Sequence, residues 1–386
     1  MGDFDELIEE TGAHDCVECG KCTSVCPVAR INSNFAPRLI VLRALEGVSS
    51  GLNKEKDIWS CITCEMCNDM CPYKVNYSGF ILGLRTRAFK MGNLPEYSLS
   101  GAIHTYQRLM AMGVKQNRLR WLTPDLKIRQ KGEVFYFTGC AYHLGTLFPD
   151  KAEELRNTPA SIVRLLNFAG IEPVVSNDEV CCGHDLLWSG DEETMLTLMD
   201  RNIEVIKRSG AKEVVFACPE CLRTFEIDYQ DFLGDFDFEL IHISEFLLDL
   251  IDAGKLEFAG KYYKVTYHDS CRLGRHLGIY DPPRDIISEA GMQLIEMQNN
   301  KEKAGCCGVN AFANCGEVSQ KLQLDRLVEG TATGADVMLT FCPKCVIHFN
   351  CLTKSPKFPL FQEKVKIKVR ELGNVLAECI GGEGDK

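Results

Sequence analysis

Residues 213–221, EVVFACPEC, and residues 336–345, DVMLTFCPKC, carry one message twice: a short apolar run that ends in Cys-Pro-x-Cys. Such a run, rich in β-branched and aromatic residues, reads as a buried strand. Upstream of the first copy, VFYFTGC at 134–140 looks like another buried strand and ends in Cys140. A helix-like stretch over Pro159–Ala169, the segment IEPVVS, the motif VCCGHD with Cys181 and Cys182, and a helical pattern over Glu192–Arg208 lie between. The second copy starts again with KVTYHDSC, ending in Cys271. It continues through a helical stretch, QLIEM, GCCG with Cys306 and Cys307, and a helical Val318–Leu327. Equivalent cysteines lie 124 to 131 positions apart. Self-similarity at that distance indicates a duplicated domain and not a solenoid. Alternating strands and helices imply two α/β units with mostly parallel sheets, their cysteines just beyond strand ends, where open α/β sheets place their sites.

Each half offers five cysteines: one after a strand, an adjacent pair before a glycine, and the C-P-x-C pair. A tetrahedral zinc site takes four ligands, and so does a cubane cluster. Neighbours in an extended chain point to opposite sides, so the adjacent pair suits two irons of an irregular cluster better than one tetrahedral metal. The glycine after it lets backbone approach an inorganic core closely. An iron–sulfur site is favoured over zinc.

Further out, Cys16, Cys19, Cys22 and Cys26 form CVECGKCTSVCP, and Cys61, Cys64, Cys67 and Cys71 form CITCEMCNDMCP. Both match C-x2-C-x2-C-x3-C-P, the two-cluster ferredoxin run in which the fourth cysteine serves the other cluster. One cubane 4Fe–4S cluster is expected on Cys16, Cys19, Cys22 and Cys71, the second on Cys61, Cys64, Cys67 and Cys26. Zinc, usually held by two separated C-x2-C pairs, gains nothing from the final C-P. The spacer between the runs carries PRLIVLRALEGV at helical spacing, so the module is expected to be helical. ILGLRTRAFKMG and LSGAIHTYQRLMAMG read as amphipathic connector helices, broken near Pro95 and Pro124. The expected plan is a helical ferredoxin-like domain over 1–95, a helical connector over 96–131, and duplicated α/β units over 132–259 and 260–386.

Composition sets outer limits. The 386 residues include 43 Lys+Arg against 54 Asp+Glu, a net charge of −11, which argues against a nucleic-acid partner. The acidic start MGDFDELIEE has no apolar signal core, and no stretch suits a membrane span. The expectation is a cytoplasmic protein whose 21 cysteines are reduced and bind metal.

The pattern C…CCG…C-P-x-C behind a two-cluster ferredoxin module resembles the heterodisulfide reductases. It is similar to a fusion of their C and B subunits, as in the D subunit of the membrane-linked enzyme. The resemblance covers nearly the whole chain. It implies a noncubane 4Fe–4S cluster on Cys140, Cys181, Cys182, Cys218 and Cys221, and a second on Cys271, Cys306, Cys307, Cys342 and Cys345. No ligand of either set is missing. One departure is the gap of 40 residues between Cys140 and Cys181, against 34 in the second half. The inserted LFPDKAEELRN is charged and expected to be a surface loop.

Splitting R–S–S–R′ takes two electrons and two protons, and a cluster passes one electron at a time, which gives a reason for the duplication. The resemblance implies disulfide reduction of the coenzyme M–coenzyme B kind, within a multi-subunit complex that includes a flavin-containing HdrA-like subunit. Two other classes remain open: a relay, as in the tungsten-dependent benzoyl-CoA reductase assembly, and a carrier to a membrane quinone subunit. Histidines closest to ligands, His184, His268 and His276, are the candidate proton donors. Arg272, Arg275 and Lys344 are expected to offset cluster charge or to bind an anionic thiol. Cys315, Cys351 and Cys379 fall outside every motif and read as ordinary thiols.

Overall fold

The computed structural model describes residues 3–46, 56–260, 263–355 and 363–381. Two parallel sheets lie at its centre. The first has β1 (Val134–Phe137), β2 (Glu213–Phe216) and β3 (Glu239–His242) in that order, with Val134 opposite Glu213 and Glu213 opposite Glu239. The second comprises β4 (Lys264–Tyr267), β5 (Gln293–Leu294), β6 (Val337–Thr340) and β7 (Lys368–Glu371), in the order β5-β4-β6-β7.

The two orders are one order. In the first half the place of β5 is taken by Val174 of IEPVVS, whose N–H donates to Val134 O at 2.8 Å while Tyr136 N donates to Val174 O at 2.9 Å. Only this bridge forms, because Pro173 beside it has no N–H for the ladder. The sheets share one apolar core, in which Tyr136, Val215 and Phe246 pack with Tyr267, Leu339 and Phe341. Continuous apolar runs are what strands buried on both faces require.

The expected helices form at Thr158–Phe168, Glu192–Ser209 and Glu317–Ala332. At the N-terminus, Pro37–Leu45 is helical; the last two residues of PRLIVLRALEGV lie outside the described residues. Tyr77–Lys90 is capped by the Asn76 side chain, which accepts from Gly79 N at 3.0 Å. Its buried Phe80, Ile81 and Leu84 pack with Leu7, Ile40, Ile58 and Trp59. Ala102–Ala111 is the connector helix.

LFPDKAEELRN is not a surface loop. It folds into a short helix, Pro149–Ala152, and a 3-10 turn, Glu153–Arg156, with Phe148, Ala152 and Leu155 buried. Phe148 stacks on Phe312 of the second half at 5.8 Å, and Glu154 accepts from Glu371 N at 3.1 Å. The charges point outward while every third or fourth residue is apolar, so the insertion ties the halves together.

Candidate iron–sulfur centres

The cysteines lie beyond the carboxyl ends of the parallel strands. After β1 the chain leaves the ladder because Thr138 N and Gly139 N donate to the buried Glu179 carboxylate, at 3.0 and 2.9 Å. Arg118 holds that carboxylate at 2.8 Å, and Cys140 follows. Cys218 and Cys221 come from the turn after β2. Cys181 and Cys182 enter just before the short helix His184–Trp188. The five thiols are in contact in one sequence: Cys140 with Cys181, Cys181 with Cys182, Cys182 with Cys221, and Cys221 with Cys218. All five line one cavity together with Gln107, His184, Asp185, Glu220 and Lys344.

The second half repeats the sequence of contacts, running Cys271, Cys306, Cys307, Cys345, Cys342. In both halves the glycine N–H after the pair donates to the sulfur of the first cysteine, at 3.4 Å for Gly183 to Cys181 and for Gly308 to Cys306. Two expectations need correcting here. The adjacent cysteines do not point to opposite sides, because this stretch is not a strand, and both sulfurs turn into the same space. The glycines answer first to the backbone and the next helix. Their φ angles are +82° and +84°, and a Cβ would come within 2.7 Å of Met195 or 2.8 Å of Ser319. Close approach to sulfur is found instead at Gly139, where a Cβ would lie 3.0 Å from Cys221 Sγ.

In the N-terminal module, Cys16, Cys19, Cys22 and Cys71 line one cavity, with Cys67 at its inner side. Cys26, Cys61, Cys64 and Cys67 line the next. The cavities therefore abut at Cys67. Cys64 lies within electrostatic reach of Cys271 and Cys306, and Cys218 within that of Cys342. The four sulfur sets thus follow one another through the molecule, from the exposed Cys19 to the cavity of the first half.

Two arginines fix the joints. Arg85, buried, donates to Ile58 O and Trp188 O at 3.0 Å and also to Cys61 O. Arg272 donates to Thr63 O, Thr63 Oγ1 (2.8 Å), Asn310 Oδ1 (3.2 Å) and His184 Nε2 (3.0 Å), with its guanidinium 4.6 Å from the Trp188 ring. Arg275 donates to Cys64 O. These cations face the N-terminal module. Lys344 does enter the first-half cavity, where it pairs with Asp185 and Glu220.

Of the three histidines singled out in the sequence, His184 lines the cavity. Because Nε2 accepts from Arg272, its proton sits on Nδ1, 3.5 Å from Asp185. His276 is buried at the joint with Thr63 and Glu65, and His268 is held by Arg326 at 3.1 Å. Neither is among the cavity's lining residues. Burial pulls all three well below the ordinary imidazole range, so each is neutral. Gln107 escaped sequence reading; it donates to Cys181 Sγ at 3.4 Å and to Asp185 at 2.9 Å. Glu220 also escaped, although its position in C-P-E-C, matching Lys344 in C-P-K-C, was a visible signal. Cys315 takes a 2.8 Å contact from Ser98, Cys351 is half-buried and Cys379 buried.

The donor sets suit iron–sulfur chemistry. All 21 cysteines are free of disulfides, and burial pushes thiols such as Cys26 to about 12 and Cys61 to about 11. Sulfurs so placed are thiolates only when a metal supplies the charge, and an all-sulfur set selects soft iron–sulfur binding. His184, Asp185 and Glu220 also form a group of metal-ligand type, but the Lys344 ammonium already meets both carboxylates.

Comparison with known proteins agrees. Residues 12–75 match the 4Fe-4S dicluster domain, and residues 134–226 and 265–350 match the cysteine-rich domain CCG. The chain is 31% identical to the D subunit of the dihydromethanophenazine:CoB–CoM heterodisulfide reductase of Methanosarcina mazei, over 95% of this chain and 94% of that one. The chain belongs to the family of heterodisulfide reductase D subunits. Members of its wider kinship include the EtfAB:quinone oxidoreductase of Syntrophomonas wolfei, 25% identical over 88% of this chain and 56% of that protein. The B subunit of the CoM/CoB fumarate reductase of Methanothermobacter marburgensis is 26% identical, over 87% and 67%. This family member is an iron–sulfur electron-transfer subunit of an oxidoreductase. Among its described residues no helix is long and apolar enough to cross a membrane.

Proposed function

We propose that this protein reduces a disulfide, R–S–S–R′, to two thiols as the terminal iron–sulfur subunit of a larger redox complex. Cubane 4Fe–4S clusters would be held by Cys16, Cys19, Cys22 and Cys71, and by Cys26, Cys61, Cys64 and Cys67. Noncubane clusters would be held by Cys140, Cys181, Cys182, Cys218 and Cys221, and by Cys271, Cys306, Cys307, Cys342 and Cys345. Bound there, such groups supply the single electrons that the cleavage consumes two at a time. The protein's own part is placement and proton supply. Gly183 N and Gln107 Nε2 direct N–H groups at Cys181 Sγ. Arg272 keeps the His184 proton on Nδ1, toward the cavity, and His184 is the proton donor we favour. His268 and His276 then serve as hydrogen-bonding supports. Ile103, Leu144 and Pro343 keep the inner wall dry. Electrons would come from a separate, flavin-containing HdrA-like subunit in the cytoplasm, entering near the exposed Cys19.

The observation that carries this reading is the unbroken succession of four sulfur sets ending in a cavity with a neutral, oriented histidine. Anaerobically purified protein should contain roughly sixteen irons and as much acid-labile sulfide, four per cluster. Viologen-linked reduction of the CoM–CoB heterodisulfide, or of smaller disulfides, should vanish in Cys181→Ala. Zinc with little sulfide would overturn the reading. A second reading, a relay without turnover, is favoured by one observation: the buried Lys344–Asp185–Glu220 group stands between the two five-cysteine sets. A loaded protein that accepts electrons and turns over no disulfide supports it.

A further inference from the structure

The charges around the first-half cavity bear on which disulfide it accepts. Among its described lining residues the ionised groups are Asp185, Glu220 and Lys344. The Lys344 ammonium touches both carboxylates, and the three side chains of Lys344, Asp185 and Glu220 are only 7%, 6% and 12% exposed. One cation is thus held between two anions. The wall keeps a net negative charge even before five thiolates are counted. His184 is neutral, and burial pulls His143 down to about 3, so neither adds positive charge. The nearby arginines are committed elsewhere: Arg118 to Glu179 and Gly139 O, Arg272 to Thr63, Asn310 and His184. The rest of the lining is apolar or aromatic. Tyr106 and His143 pack ring to ring at 5.3 Å, and beside them Leu147, at 40% exposure, is the side that meets solvent.

A sulfonate, carboxylate or phosphate entering this space would shed its water and meet no uncommitted N–H fork, and burying an unpaired charge is strongly unfavourable. We propose that the cavity takes an uncharged or cationic disulfide and turns away disulfides whose thiols carry oxyanions. This inference rests on the disulfide-reductase reading and narrows it to a substrate class.

The test uses the loaded, anaerobic protein and three small symmetric disulfides: bis(2-hydroxyethyl) disulfide, cystamine and 2,2′-dithiobis(ethanesulfonate). In each turnover two reduced viologens give one electron each, the S–S bond breaks, and two S–H bonds form with protons from water. The neutral and cationic compounds should exceed the sulfonate in kcat/KM by about tenfold or more, since rejection comes from an unpaired buried charge. Titration calorimetry with the oxidised protein should give the same order of Kd without any turnover. In Asp185→Asn/Glu220→Gln, which frees the Lys344 charge, the sulfonate should regain roughly tenfold relative to the neutral compound. If the double variant does not fold, the unmodified protein decides alone. A sulfonate that binds and reacts as well as the neutral disulfide overturns this inference and leaves the reductase reading standing. Reduction of none of the three removes both.

Discussion

The two halves repeat one sheet order and one succession of five thiols, yet their surroundings differ at matching positions. After the first cysteine stands Ala141 in one half and Arg272 in the other; after CCG, His184 and Val309; inside C-P-x-C, Glu220 and Lys344. The second half uses Arg272, Arg275 and His276 to grip Thr63, Cys64 and Glu65 of the N-terminal module. The first half leaves that face to a cavity. Its chain after C-P-E-C widens into a π-helical turn at Thr224–Tyr229, where Tyr229 donates to Cys182 O at 2.8 Å; after C-P-K-C the helix Pro343–Thr353 stays regular. π-Turns of this kind concentrate at functional sites. Glu220 and Lys344, equivalent by duplication, meet as an ion pair at the contact of the halves. Duplication thus produced two similar cradles, and opposite side chains at equivalent places made one an inlet and the other an outlet.

The largest expected effect comes from deleting one cradle at a time. Cys181→Ala and Cys306→Ala should each abolish viologen-linked turnover, by roughly a thousandfold or more, as removal of a redox group does. They should differ in what the remaining clusters do. With an electron donor that docks at the N-terminal module, Cys181→Ala still fills the second-half centre, followed by paramagnetic resonance. In Cys306→Ala, reduction stops at the N-terminal pair. If the two variants leave the same centres reducible, the inlet and outlet assignment is wrong.

Much of this plan was legible because its signals are local. Cysteine spacing and four-residue apolar runs survive without knowledge of the fold, and so the parallel sheets and the positions of the cysteines beyond their ends could be read directly. The failures are long-range. Strand β1 stops at Phe137, three residues short of Cys140, because Glu179, 41 residues from Thr138, takes its N–H groups. Gln107 sits in a connector helix 74 residues from Cys181, and nothing in its neighbourhood in sequence marks it. The insertion after Cys140 looks solvated by composition, but Phe148 and Leu155 outweigh its charges once a second domain offers an apolar face. Lys344 is recognisable in sequence as a cation near a centre, while the two carboxylates that absorb its charge come from the other half.

A smaller effect probes the joint. Arg272→Met removes the donors to Thr63, Asn310 and His184 Nε2, leaving buried acceptors unsatisfied. The expected loss is about 3 kcal/mol of stability, measured by denaturant unfolding of the anaerobic protein. The matching residue of the first half, Ala141, makes no such bonds, so the loss is specific to the half that grips the module. A change under about 1 kcal/mol, the scale of a single net hydrogen bond, would mean that apolar packing and not the guanidinium holds the joint.

The last strands of the two halves offer the finest contrast. β3 ends at His242 and β7 at Glu371, and each side chain caps the helix that follows: His242 accepts from Ser244 N at 3.2 Å, Glu371 from Asn374 N at 2.8 Å. Both are buried with opposite consequences for protons. Burial drives His242 down to about 3, so it is neutral at every working pH. Burial raises Glu371 from 4.5 to about 8, against the opposing pull of the Asn374 and Gly373 N–H groups. The folded state therefore holds a proton that the unfolded chain releases above pH 4.5. Stability from this group is complete below that value, falls as pH rises, and is lost once pH passes about 8. Between pH 7 and 8 the slope should be about −1 kcal/mol per unit from Glu371. Glu371→Gln keeps an acceptor oxygen for the helix and removes the titration, so its stability curve should be flatter across that range by the same amount. His242→Asn, its counterpart, should lower stability by a pH-independent amount of about 1 kcal/mol, the worth of a cap. Unfolding midpoints at pH 6.5, 7.5 and 8.5 separate the two, and parallel curves for Glu371→Gln and the unmodified protein would show that this carboxyl is ionised throughout, stabilised by the helix N–H groups beyond what burial takes away.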